Sequence, residues 1–430
     1  MIGPTPDAAP DFYFACHCDV RGWGGGLAFA AGLQEALRQA GYGSLILGVD
    51  DRHGAAGPAT PVDGRMNLPS GVSPQSWRVR NWCLPGGMAC GLRRLPPPRA
   101  AFVAVSPTWV VAARRAWPDT PVIFVFACLL ANCLPFTWPR RRAPHWWAWL
   151  DYLGLRRVER HALACANLVL APTRQSVHEI RAFARRDAVP VERCDYGGCP
   201  VAAMPGARTA KRREIGAAAD QFVIALVGHC DRNKGFDLAI RALADVDPRG
   251  RLLIVGDGPE LEELRQLAGT AGVAARVVFA GAQRNMGPWY AAADGVLSTS
   301  LYDTFPNVVL EGMAHGLPVL VPEHDPPRVY SGMAEVVREH GGGLLYRRSD
   351  SAALAIALNR LIRDRELATE LGNRGRQAAA ERYRWSTAAA RILRHVGLEP
   401  RGSSTRPIAD SSRPHSHFGR CGACHSERSP

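Results

Sequence analysis

Residues Ser298–Pro322 read STSLYDTFPNVVLEGMAHGLPVLVP. Two carboxylates, Asp303 and Glu311, stand with seven residues between them around a Phe305-Pro306-Asn307 turn. Downstream, Met313-Ala314-His315-Gly316-Leu317-Pro318 reads as a helix end, its glycine stop and the start of a buried strand. An acid on the turn before a helix and a second acid inside that helix can reach one polar ligand from two sides. The backbone N–H groups at a helix N-terminus lack intrahelical partners and favour an anion. Carboxylates for hydroxyls beside a cradle for phosphate imply a nucleotide sugar.

Working outward, Val227-Gly228-His229-Cys230-Asp231-Arg232-Asn233-Lys234-Gly235 reads as a strand, a glycine-bearing loop and a helix start. Lys234 supplies a point charge suited to a diphosphate, and Arg232 a planar fork for phosphate oxygens. Around this loop, Phe222–Val227, Leu252–Val255, Val277–Ala280, Gly295–Thr299 and Val319–Val321 predict strands. Helical patterns at Phe236–Leu243 and Glu260–Leu267 alternate with them. The first half shows the same alternation. Phe12–Cys16 predicts a strand, Gly24-Gly25-Gly26 opens a helix over Leu27–Ala40, and Ser44–Gly48 is the next strand. Further strands are expected at Ala101–Val105, Val122–Phe126 and Asn167–Ala171, with helices at Pro107–Ala116, Glu159–Ala164 and Arg174–Arg185.

The expected fold is therefore α/β, with two doubly wound Rossmann-like domains facing across a cleft. The domain boundaries read as 11–205 and 213–385. A polar linker is expected at Pro205-Gly206-Ala207-Arg208-Thr209. A further helix is expected over 386–397. The Ser/Arg/Pro-rich stretch 398–430 reads as a disordered tail.

Composition narrows the function. The 430 residues carry 47% hydrophobic and 21% charged residues, ordinary for a globular protein, but a formal net charge of +13. That excess favours an anionic partner: a phosphorylated substrate or an acidic membrane surface. No RNA-binding signature accompanies the scattered arginines, so nucleic acid is not an expected partner. Met1-Ile2-Gly3-Pro4 lacks a secretory pattern, and the longest apolar run, Val122–Ala131, is too short to span a bilayer. Cys16, Cys18, Cys128, Cys165 and Cys230 sit in apolar surroundings without paired spacing, which reads as reduced thiols of a cytoplasmic protein. Cys421-Gly422-Ala423-Cys424-His425 has haem-attachment spacing but lies in the tail, without a pocket. Asp245-Val246-Asp247 forms a D-x-D before Pro248-Arg249-Gly250, where polar turn residues are expected in any case.

Taken together, the second half is similar to glycosyltransferase family 4 on a GT-B fold. The similarity runs from about Phe222 to Arg384. It includes Val255-Gly256-Asp257-Gly258-Pro259, Phe279-Ala280-Gly281, Tyr290-Ala291-Ala292-Ala293-Asp294 and Tyr383-Arg384-Trp385. The first half resembles the family more loosely, through Gly24-Gly25-Gly26 and Ala166–Thr173. The resemblance implies that Glu311 holds ribose hydroxyls and Asp303 the donor sugar's hydroxyls. It puts the amides of Phe305, Asn307 and Val308 near sugar and diphosphate, with Gly228 and His229 also on the donor side. Lys234 would neutralise the leaving diphosphate, with Arg232 beside it. The resemblance makes 11–205 the acceptor-side domain and 213–385 the donor domain, with the helix 386–397 bracing the first; Gly24, Gly25 and Gly26 would let that first domain approach the phosphates or the acceptor.

Three departures qualify it. Asp303 stands where the family usually has Glu. His229 takes the place of a frequent Arg. Ala127-Cys128-Leu129 stands where a His commonly follows a first-domain strand, leaving His17 and Asp19 as candidates for that side of the cleft. The implied activity is retaining transfer of a sugar from a UDP- or GDP-sugar to a glycan or lipid-linked acceptor, in synthesis of a bacterial surface polysaccharide such as lipopolysaccharide. No metal or other cofactor is expected. The alternative is a nucleotide-sugar-binding protein that has lost transfer; a GT-B epimerase fits the Asp303-to-Glu311 block poorly. Finally, Trp138–Leu150 combines Arg140, Arg141 and Arg142 with tryptophans, which suits a peripheral contact with the inner face of the cytoplasmic membrane. The same composition also fits a packed core beside a solvated arginine run.

Overall fold

Among the described residues, the first half is built on seven strands: β1 (Phe12–Ala15), β2 (Ser44–Asp50), β3 (Arg65–Pro69), β4 (Ala101–Ala104), β5 (Val122–Val125), β6 (Leu168–Ala171) and β7 (Val191–Arg193). They lie in the order β3-β2-β1-β4-β5-β6-β7, each neighbouring pair parallel. The computed structural model describes residues 9–16, 25–50, 64–69, 77–126, 129, 145–184, 190–195, 197, 206–348 and 350–401. Strands FYFA, AFVA, VIFV and LVLA are buried along their whole length, as a parallel sheet covered on both faces requires. Alternation then divides β1 between two cores. Tyr13 joins Phe102, Trp109 and Phe124 on one face. Phe12 and Phe14 join Leu33 and Leu37 of the helix Gly25–Gln39 on the other.

The second half repeats the plan with six parallel strands. These are β8 (Phe222–Val227), β9 (Gly250–Val255), β10 (Val277–Gly281), β11 (Gly295–Leu297), β13 (Val319–Pro322) and β15 (Gly343–Tyr346), in the order β10-β9-β8-β11-β13-β15. Two short strands, β12 (Tyr302–Asp303) and β14 (Tyr330–Ser331), form a separate parallel pair. The last helix, Trp385–His395, leaves this half and packs on the first. Its Ala388, Ala389, Ile392 and Leu393 share a core with Phe12 and Phe14, and the Trp385 ring meets Phe29 edge-on at 4.8 Å.

Several elements depart from the sequence reading. The helix Trp77–Leu92, β3 and β7 were not expected; the helix contains Pro85, and the strands, RMNLP and VER, lack a continuous apolar run. The helix expected at Glu159–Ala164 is the end of a longer one, His145–Cys165, which also takes in residues 145–150 of the tryptophan-rich segment. Residues 138–144 of that segment, with Arg140, Arg141 and Arg142, lie outside the described residues, as does 402–430. The expected linker is largely the helix Ala207–Glu214. Its Arg212 is buried, donating to Asp294 Oδ2 at 2.8 Å and to the carbonyls of Ala292, Ala218 and Gln221. Pro205-Gly206-Ala207-Arg208-Thr209 reads as a polar linker because Asp294, the partner of Arg208 and Arg212, is far away in sequence.

Candidate active site

The loops at the carboxyl ends of β8 and β9 are pressed together by glycines. Gly256 has φ 153°, and a Cβ there would overlap the Gly228 carbonyl oxygen. Gly235 has φ 58°, a left-handed conformation that suits glycine, and it starts the helix Phe236–Ala242. Between these glycines the chain delivers Lys234. Its Nζ donates to Asp303 Oδ2 at 2.7 Å, and both side chains are partly exposed. The Ser300 hydroxyl approaches the same oxygen at 3.4 Å. Backbone fixes the cation as well: the Lys234 carbonyl accepts from the Thr299 hydroxyl at 2.6 Å, and its N–H donates to the Asp231 carboxylate at 3.0 Å.

The second acid has a different setting. Glu311 lies in the helix Asn307–Ala314 and accepts the Tyr290 phenol at Oε2, 2.6 Å. Tyr290 is buried, and its ring stacks on His315 at 5.2 Å between centroids. Burial pushes the Glu311 carboxyl above its ordinary value, partly offset by the Tyr290 bond. Burial, with Glu311 adding to it, pushes the phenol up as well, so Tyr290 stays a donor. Glu311 is four residues beyond Asn307 and three beyond Val308, so all three share one face of the first helical turns. Phe305 packs on Tyr383 at 5.8 Å just before that helix.

The first half reaches this region through its helix Arg174–Ala184. Tyr302, next to Asp303, donates to Glu179 Oε1 at 3.0 Å and accepts the Leu129 N–H at 3.2 Å. Glu335 accepts the N–H groups of Arg174 and Gln175 at 2.9 and 3.0 Å, capping that helix from the other half. Arg193 forms a two-pronged pair with Glu339 at 3.1 and 2.8 Å, holding the Glu339 carboxyl below its ordinary range.

Comparison with known proteins bears on both halves. Residues 207–378 match the family model described as glycosyl transferases group 1. The lipopolysaccharide core biosynthesis glycosyltransferase LpsE of Rhizobium meliloti (strain 1021) is 31% identical over 189 residues, 44% of this chain and 54% of LpsE. The chain spans about half the length of the curated relatives it matches. Among solved structures, sucrose-phosphate synthase from Thermosynechococcus elongatus superposes with a TM-score of 0.72 at 19% identity, over 89% of this chain and 96% of that one. Anabaena HepE in complex with UDP and glucose gives 0.68 at 19% identity, over 90% and 99%. The fold is GT-B.

On this GT-B frame, the structure joins Lys234 to Asp303 directly and sets Glu311, Asn307 and Val308 on the adjoining helix. Arg232 and His229 sit exposed on the Lys234 loop. Gly228 stands at its start. Gly25 and Gly26 begin the helix after β1, while His17, Asp19, Gly24, Ala127 and Cys128 lie outside the described residues. Of the D-x-D acids, Asp247 faces arginine: it accepts from Arg249 Nε at 3.0 Å and lies 3.6 Å from Arg363 Nε. Among the described residues no cluster of three or more His, Cys, Asp or Glu side chains forms a metal site.

Sequence reasoning missed Tyr290, Asn233, Tyr302, Glu179 and Glu335. Tyr290 stood inside a quoted motif, but nothing local links it to an acid 21 residues on. Glu179 and Glu335 look like ordinary helix-surface charges until the two halves meet.

Proposed function

We propose that the chain is a retaining glycosyltransferase of the family 4 kind, moving a sugar from a nucleotide-sugar donor to a glycan or lipid-linked acceptor. The observation that carries the reading is the pairing of Lys234 with Asp303 beside the helix that holds Glu311, inside the half that matches the group 1 model. A cation and an acid that neutralise each other can both be redirected by one ligand. The donor's diphosphate competes for Lys234, and its sugar hydroxyls donate to the released Asp303. The Glu311 carboxylate, steered by Tyr290, accepts from ribose hydroxyls.

The chemistry follows from the leaving group. As the anomeric C–O bond breaks, positive charge grows on the sugar ring and negative charge on the departing diphosphate. Lys234 and the amides at the start of the helix Asn307–Ala314 meet that negative charge where it develops. The acceptor hydroxyl attacks from the leaving-group face, and no step is assigned to a metal. Likeness to LpsE favours a lipopolysaccharide core or related polysaccharide acceptor, and HepE's complex makes UDP the first nucleotide to test. No described helix is long and apolar enough to cross a membrane. We place the chain at the membrane surface through Trp138–Leu150; salt-sensitive binding to anionic vesicles, weakened by replacing Arg140, Arg141 and Arg142, would support this, and undiminished binding would remove it.

The central test is donor-dependent release of nucleoside diphosphate by the full chain, across UDP- and GDP-sugars and a broad acceptor panel. Release that needs both donor and acceptor supports the proposal. Tight donor binding without turnover would instead favour a nucleotide-sugar-binding protein. Neither binding nor turnover would overturn both.

A further inference from the structure

The residues preceding the two charges of the Lys234–Asp303 pair, Asn233 and Tyr302, link that pair to the first half. The Asn233 side-chain amide donates to the Tyr302 carbonyl at 3.0 Å and accepts the Tyr302 N–H at 3.0 Å. The Asn233 carbonyl accepts the Leu301 N–H at 2.7 Å. Three bonds thus join the Lys234 loop to the Asp303 segment without using either charge. The Tyr302 side chain then crosses to the first half. It is buried at 2% exposure, donates to Glu179 and accepts from Leu129, so its phenol is served as donor and as acceptor from across the cleft.

Strand β12 is two residues long, and its partner β14 is equally short. A ladder of that length has little stability of its own. The Gly332 and Tyr330 N–H groups donate to the Asp303 and Leu301 carbonyls at 3.1 and 2.8 Å, so where the Asp303 side chain sits depends also on what holds Tyr302: Asn233 from the second half and Glu179 from the first.

We infer that Tyr302 and Glu179 are positioning residues through which closure of the first half aligns the Lys234–Asp303 pair; this rests on the donor site proposed above. With the halves together, the 302–303 strap is pinned and Asp303 lies 2.7 Å from Lys234. When they part, the phenol loses Glu179 and Leu129, and the strap is held from the second half alone, by Asn233 and by the Tyr330 and Gly332 N–H groups. Alignment of the charges then depends on closure, which also excludes water from the cleft. A misplacement of about 1 Å can cost on the order of a hundredfold in rate.

Glu335 provides a readout. It caps the helix that carries Glu179, so the Arg174 and Gln175 amides report whether the halves are together. In full-length protein supplied with a UDP-sugar, Tyr302→Phe and Glu179→Ala should each lower kcat about tenfold, with donor KM changed less than about twofold. Glu179→Gln, which keeps an acceptor for the phenol, should restore most of kcat, and the Tyr302→Phe/Glu179→Ala double variant should be no worse than either single. Unchanged kcat or additive losses would overturn the inference. A second measurement needs no turnover. Because coupling is reciprocal, hydrogen exchange at Arg174 and Gln175 should speed up at least about threefold in Tyr302→Phe and also in Asp303→Asn. Exchange unaffected by Asp303→Asn overturns the coupling. Wild-type protein that neither binds nor turns over UDP- or GDP-sugars would defeat the donor reading alone, with the exchange result still deciding the coupling.

Discussion

Asp303 and Glu311 lie on the same short stretch, yet their surroundings are opposites. Asp303 faces a cation, Lys234, in a partly open position on a two-residue strand. Glu311 faces a neutral phenol inside a helix, where burial works against its charge. The difference separates two ways of preparing a carboxylate. A charge pair can be exchanged for a ligand's charges. A buried acid with one fixed donor is costly to ionise but has its second oxygen already aimed.

Removing the cation should have the largest effect. Lys234→Ala is expected to lower kcat by roughly a hundredfold to a thousandfold, as loss of one preorganised charge-stabilising group does, and to leave Asp303 without its partner. Steady-state kinetics of nucleoside diphosphate release measure it; a loss confined to KM would mean Lys234 only binds.

Glu311→Gln should act on binding, weakening nucleotide affinity by roughly tenfold to a hundredfold, the scale of a hydrogen bond to a charged group. Its effect on stability should have the opposite sign. Because burial holds the folded-state carboxyl above its ordinary value of 4.5, Glu311's contribution is fully present below that pH and lost as pH rises through the folded value. The Gln variant should therefore melt a few degrees higher than wild type near neutral pH, by roughly 2–4 °C per kcal/mol regained, with the gap closing in acid. Melting curves at several pH values test this, and a variant less stable at neutral pH would contradict it.

Asp303→Glu sharpens the comparison, since it adds one methylene to the exchangeable acid only. An altered preference among donor sugars is expected, with turnover within about tenfold either way, whereas nucleotide affinity stays put. A change in nucleotide affinity instead would show that the two acids do not divide the donor as proposed.

The smallest effect belongs to Tyr290→Phe. The Tyr290 bond lowers the Glu311 pKa, so its loss should raise that pKa further and move the acid limb of nucleotide binding to higher pH. Affinity near neutral pH should fall only a few-fold. An unmoved pH profile would reduce Tyr290 to packing.

Much of the second half was legible in order. Strand-and-turn patterning located β8, β9 and β11, and the Asp303–Glu311 spacing pointed to the helix Asn307–Ala314. Less of the first half was legible. β3 reads RMNLP and β7 VER, neither a continuous apolar run, and the Trp77–Leu92 helix contains a proline, so their local signals are weak. Pro205-Gly206 and the polar residues after it read as a linker, because Asp294, which anchors the helix Ala207–Glu214, lies 82 residues from Arg212.

The sequence by itself determined two α/β halves, the glycines that let the β8 and β9 loops touch, and the cation and acids of the proposed donor site. Those are set by local sterics, by apolar periodicity and by charge type, all carried within a few neighbouring residues. Only the tertiary structure decided that Lys234 meets Asp303, that Tyr290 steers Glu311, and that Tyr302 and Glu335 reach the first half. Each of those contacts depends on chain segments tens of residues apart arriving within about 3 Å, the range over which a hydrogen bond acts.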